Sequence, residues 1–489
     1  KGFKDFGSNT NIVFNGTFFS NSYFPGIGYN PGVELVEDDD RRREGLPVKE
    51  RMREADDLSA KQVNAFGDDA DRIRLEIVVG TERDQIAIAP GALRKEWVEG
   101  DRKYFQYKTD RPIANAYSIV SGRYAVRRDK WRDVELEIYY RPGHEYNLDR
   151  MMDAMKDGLQ YNTENFSAYQ FRQLRIVEFP RYETFAPSFA NTIPFSEGVG
   201  FILKVANPAK DLDVPYYLTL HEVAHQWWGH QVMAADVKGS AMLSESMCQY
   251  SAMMVMKKKF PPEIVERYLK YELDSYLSGR ASERKKEQPL QSVEAQTYID
   301  YNKASLVFYT LQDYIGEEKL NSAFRKYNEM WRFKDAPYPG SLDLLTNIRE
   351  VTPDSLQYLI HDLFETITLF ENKAERAVYT QTADGQFELT LSVTCEKIRS
   401  DSLGNEVFAT LNDWIDVGVY SRDDKGNDKL VYLQKRKIAA KDNAFVITLG
   451  ERPAKAGIDP LHKLIDRHSG DNTVAATEII DIANIPLGN

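Results

Sequence analysis

Five consecutive residues, His221-Glu222-Val223-Ala224-His225, constrain this 489-residue chain more than any other segment. On an α-helix, positions i and i+4 share a face, so the two imidazoles can converge on one ion. The chain has only seven histidines, and His221, His225 and His230 fall within ten residues. Zinc suits imidazole, and a catalytic zinc takes three protein ligands and keeps a fourth position for water. Glu222 stands beside the first histidine, where its carboxylate can take a proton from that water. The pattern alone is of moderate specificity, because two histidines one turn apart on an amphipathic helix also satisfy it. A third ligand must come from elsewhere. Asp236 lies in a loop-like stretch with Ala234, Ala235 and Gly239. Glu245 opens a helix-compatible run through Met256 that can return antiparallel to the first helix, and it is favoured.

The length argues for two to four domains. An apolar fraction of 42% and an aromatic fraction of 12% argue for packed cores rather than disorder. A net charge of −12 with no basic stripe excludes nucleic acid as an expected partner. No run of 18 apolar residues offers a membrane span. The chain opens Lys1-Gly2-Phe3-Lys4, which reads as a processed protein or a piece of a longer one. Cys248 and Cys395 make no CxxC pair, and Cys248 reads as a small buried apolar residue.

Texture divides the chain in three. Residues 1–143 read as β-rich, with short alternating segments such as Ile73–Ile77 and the turn signal Ala89-Pro90-Gly91. The charge-dense stretch Val36–Asp57 reads as a solvated surface. Residues 144–370 are mostly helical. Met151, Met152, Met155 and Leu159 predict a helix over 147–165, and Leu174–Phe179 predicts a strand. Pro261-Pro262 starts another helix, and Gly316 ends one that carries Leu306 and Leu311. Residues 371–489 return to a period of two: Phe387, Leu389, Leu391 and Val393 alternate with polar residues, after the two-residue hairpin signal Asp384-Gly385.

The segment His221-Glu222-Val223-Ala224-His225-Gln226-Trp227-Trp228-Gly229 resembles the H-E-x-A-H-Q-W-F/W-G motif of the M1 aminopeptidases, the gluzincin group of zinc exopeptidases. Leu243-Ser244-Glu245-Ser246 is similar to that family's L-N-E-G, whose Glu is the third zinc ligand. Here 19 residues separate His225 from Glu245, one more than the usual 18, so the literal position is Ser244. Ser196-Glu197-Gly198-Val199-Gly200-Phe201-Ile202 aligns with part of the family's G-A-M-E-N-W-G-L-I loop, sharing Glu197, Gly200 and Ile202. The resemblance implies that Glu197 binds the substrate's free α-amino group. Tyr301-Asn302-Lys303-Ala304 is similar to Y-x-K-G, which implies Tyr301 as the donor to the oxyanion.

The resemblance therefore implies an α+β multidomain fold: a β-rich N-terminal domain, a thermolysin-like, mostly helical catalytic domain, and a small C-terminal β-sandwich. It implies a metallopeptidase with one zinc ion on His221, His225 and Glu245, Glu222 and Tyr301 as catalytic groups, and peptides as substrates. The flavour of Pro194–Gly198 and His230 resembles M1-like domains attached to permease-like multi-pass membrane proteins, which implies a tether outside these residues. Rival readings are a zinc endopeptidase and a catalytically silent sensor or scaffold domain. His230 is off the ligand face, Lys303 either supports Tyr301 or is solvated, and Trp227 and Trp228 read as core.

Overall fold

A computed structural model describes residues 12–13, 16–24, 34–49, 51–67, 70–180, 183–207, 210–284 and 286–479. They fall into two compact units. The first comprises residues 1–265, 291–296 and 315–355, and the second residues 266–290, 297–314 and 356–489. Among the described residues no helix is long and apolar enough to cross a membrane.

The first unit begins with β-structure. A four-stranded sheet combines Ile12–Val13, Gly16–Ser20, Ser118–Gly122 and Ile86–Ile88, and a three-stranded sheet combines Glu76–Glu82, Arg102–Lys108 and Ala92–Glu99. The segment predicted as one strand over 73–77 is two, Arg72–Ile73 and Glu76–Glu82. The break comes where Leu75 donates its N–H to the Thr109 hydroxyl, 3.0 Å away, instead of to a neighbouring strand. The charge-dense stretch forms the short helix Asp38–Arg43, which buries nothing.

A second four-stranded sheet, Ala125–Trp131, Val134–Tyr140, Gln173–Phe179 and Thr192–Ser196, is antiparallel in its first pair and parallel thereafter. The parallel step is bridged by helix α1, Leu148–Asn165, whose Met151, Met152, Met155 and Leu159 are buried as their spacing requires. Helix α2, Val214–Ala224, packs on α1, and helix α3, Met247–Lys259, packs on α2. Gly158 of α1 permits the close approach, because a Cβ there would lie 3.0 Å from Val223 Cγ1. Asp213 caps α2 by accepting the Tyr216 N–H at 3.2 Å, and Pro215 sits in its first turn. Trp227 and Trp228 follow α2 and are fully buried; truncating either costs about 3–5 kcal/mol.

Between α2 and α3 the chain turns at Gly239, with φ +84° and a Cβ position 2.2 Å from the Gln291 carbonyl oxygen. Gly239→Ala is expected to destabilise the protein by about 1–3 kcal/mol and lower its Tm by several degrees. An unchanged Tm by differential scanning calorimetry would contradict this packing.

In the second unit, Ile367–Gln381 and Phe387–Ser400 form the long hairpin of an eight-stranded sheet that continues through Thr473–Glu478, Lys455–Ile458, Asp413–Arg422 and Asp428–Ile438. Leu389, Leu391, Val393 and Cys395 all face the core, as the period of two predicts. The hairpin loop is five residues, 382–386, rather than two. Thr382 closes it by donating its N–H to Gln386 O at 2.9 Å, and Gly385 takes φ +85° inside it.

Candidate metal and peptide site

The site begins with the face that α2 turns toward α3. His221 and His225 bring their Nε2 atoms to 3.1 Å of each other. Glu245 Oε2 lies 3.1 Å from His221 Nε2 and 3.3 Å from His225 Nε2. Asp236 and His230 stand outside this cluster, so the alternative ligand is set aside. His230 is buried and donates Nε2–H to Ser188 O at 3.1 Å, and burial pushes its pKa down to about 3.

The extra residue before Glu245 is absorbed by local geometry. Met242–Ser246 is a π-turn running straight into α3. A π-turn closes from i to i+5 and holds one residue more than an α-turn. Glu245 is therefore the residue delivered to the histidines, and Ser244 is not.

Proton positions decide whether the cluster suits a cation. His221 Nδ1 faces the Gln249 amide oxygen at 2.9 Å, and His225 Nδ1 faces the Trp228 carbonyl at 3.0 Å. Both partners accept, so both rings carry a proton on Nδ1, which leaves Nε2 as the atom each ring can offer to a cation. Two imidazole Nε2 atoms and a carboxylate oxygen thus converge, a donor set that suits zinc. Ligand atoms on a tetrahedral zinc stand about 3.3 Å apart, which is the spacing found. The outer hydrogen bonds also fix the ring orientations, a usual feature of metal-bound histidine. Cys248 is buried and lies outside the cluster of His221, His225 and Glu245.

Glu222 is buried beside the first histidine, and its main-chain oxygen accepts the Ser188 hydroxyl at 2.7 Å. Burial pushes its carboxyl up to about 8, against the pull of His225 and with the help of Glu245's charge. A cation among His221, His225 and Glu245 opposes that rise.

Glu197 opens another π-turn, Glu197–Phe201, which packs against α2. Ser196 shapes its start by accepting the Gly198 N–H at 3.1 Å while donating to Glu183 O at 2.5 Å. Gly200 must lack a Cβ, which would lie 2.5 Å from the Phe195 ring. Asn147 donates Nδ2–H to Gly200 O at 2.7 Å and to Leu203 O at 2.8 Å. Glu197 is therefore held in a built turn rather than on a solvated loop.

Tyr301 belongs to the second unit, in the π-turn Tyr298–Lys303. Lys303 is only 1% exposed there, so it is not a solvated surface lysine. Its Nζ lies 5.6 Å from the Tyr276 ring centroid and 4.0 Å from Glu287 Oε1, and burial lowers its pKa to about 8.

Residues 150–363 match the profile of the Peptidase family M1 domain. This region is an M1 peptidase domain. Over 222 residues the chain is 24% identical to human endoplasmic reticulum aminopeptidase 2, a match covering 44% of this chain and 23% of that protein. The structure resembles Legionella pneumophila aminopeptidase A, solved in complex with aspartic acid, with a TM-score of 0.53 and 16% identity. That match covers 81% of this chain and 44% of the other, so the chain spans less than half of either relative. The structural likeness bears out the mixed α/β architecture expected for an M1 domain.

Sequence reasoning missed Gln249, the Trp228 carbonyl, and the pair His144 and Glu178 beside Glu197. Glu178 carried a signal: it is the one acid in the apolar strand Gln173–Phe179. A charge at a strand position buried on both faces requires a partner.

Proposed function

We propose that the M1 domain is a zinc-dependent aminopeptidase that hydrolyses the first peptide bond of peptides with a free amino terminus. The observation that carries this is the convergence of His221 Nε2, His225 Nε2 and Glu245 Oε2 within 3.3 Å of one another. These residues hold the zinc ion. When bound, zinc supplies a Lewis acid for the scissile carbonyl and acidifies the attacking water. Glu222 takes the proton of that water and passes it to the leaving amine. Tyr301 is assigned the hydrogen bond to the developing oxyanion on the strength of its motif. Glu197 pairs with the substrate's ammonium group, which sets cleavage after the first residue. The names of both relatives, each an aminopeptidase, support this register.

The test is a matched pair of peptides, one with a free amino terminus and one N-acetylated. Only the free peptide should be turned over, and Glu197→Ala should reduce kcat/KM for it by about 10–100-fold with zinc content intact. Equal turnover of both peptides would show an endopeptidase instead.

A further inference from the structure

Glu197 does not stand alone. His144 Nδ1 lies 2.5 Å from Glu178 Oε1 and 3.8 Å from Glu197 Oε2. Glu178 is 2% exposed, and its other oxygen accepts the Arg141 N–H at 2.7 Å. Burial raises its pKa, opposed first by the Arg141 amide and then by His144.

This trio differs chemically from His221, His225 and Glu245. The His144 ring nitrogen lies within hydrogen-bond reach of a carboxylate oxygen, which accepts. His144 therefore donates to Glu178, and Glu178 is pinned by the main chain. The ring nitrogen that Glu178 anchors also lies 3.8 Å from Glu197 Oε2, so the ring is held beside that carboxylate. The turn carrying His144 does a second job three residues later, where Asn147 grips the backbone of Glu197's turn through Gly200 and Leu203. One short segment, His144–Asn147, thus grips the backbone of that turn and sets a ring nitrogen beside its carboxylate.

We propose that His144, anchored on Glu178, is a positioning residue for amino-terminal recognition: it holds the Glu197 carboxylate in the orientation that accepts the substrate's ammonium group. The inference rests on the assignment of Glu197 as the ammonium partner. A preordered carboxylate binds a cation without losing rotamer freedom at the moment of binding. Without His144, Glu197 loses its fixed direction.

The experiment compares wild type, His144→Ala, His144→Asn, Glu197→Ala and the double variant His144→Ala/Glu197→Ala on an aminoacyl fluorogenic substrate, with zinc content and Tm measured for each. His144→Ala should raise KM about tenfold while kcat changes by less than about threefold and zinc content stays at the wild-type value. His144→Asn keeps an N–H donor near the position of Nδ1 and should restore KM to within about threefold of wild type. The double variant should match Glu197→Ala alone, because both changes remove one function. If Glu197→Ala raises KM and His144→Ala does not, or if the two effects multiply, the positioning role is overturned and Glu197's role stands. If Glu197→Ala leaves KM unchanged, the ammonium assignment fails and this inference fails with it.

Discussion

Glu222→Gln leaves zinc content unchanged and lowers kcat by about 10²–10⁴-fold, the range expected for loss of a general acid–base group. The amide is nearly isosteric and preserves the packing between α2 and its neighbours, so Tm should hold. It cannot take a proton from water at any accessible pH. The proposed zinc ligands are His221, His225 and Glu245, and Glu222 is not among them, so metal analysis and kinetics should separate cleanly. Full activity in this variant would remove Glu222 from the mechanism and with it the peptidase chemistry proposed for α2.

Glu245→Ala should have the larger effect on the metal. It removes one of three converging ligand atoms and leaves two imidazoles that cannot complete a three-ligand site. Loss of a merely outer partner of a metal ligand lowers affinity about 10–100-fold, so loss of the ligand itself should exceed about 100-fold and abolish activity at trace zinc. Ser244→Ala is the natural control, because Ser244 occupies the family's usual spacing. Competition against a zinc-selective chelator should show Ser244→Ala close to wild type. The reverse ranking would mean that the π-turn does not present Glu245 as described.

These two residues also show what was legible in the sequence. The helical period of 3.6 places His221 and His225 on one face whatever surrounds them, so that part of the site could be read directly. Glu245 was readable as an acid on a returning helix, but its register was not, because the π-turn at Met242–Ser246 is a local departure from that period. Of the proposed site residues, Glu197, Glu245 and Tyr301 all lie in π-turns. Such turns leave no mark in a hydrophobic pattern and are often found at functional sites. His144 and Glu178 were illegible for another reason: they are 34 residues apart and meet only because parallel strand pairing sets Glu178 beside the Arg141–His144 turn. In the second unit the strand alternation was read correctly, whereas the hairpin loop was not. The Thr382–Gln386 closure brings three further residues into a turn that Asp384-Gly385 alone suggested would be tight.

The central claim is that one zinc ion on His221, His225 and Glu245 supports hydrolysis of peptides at a free amino terminus. The most direct test strips the protein with chelator and titrates zinc back while following a panel of aminoacyl fluorogenic substrates. Activity should be absent at the start, rise in proportion to added zinc and level off at one ion per chain. Binding of one zinc per chain without hydrolysis of any substrate in the panel would contradict the account and point to a catalytically silent metal-binding domain.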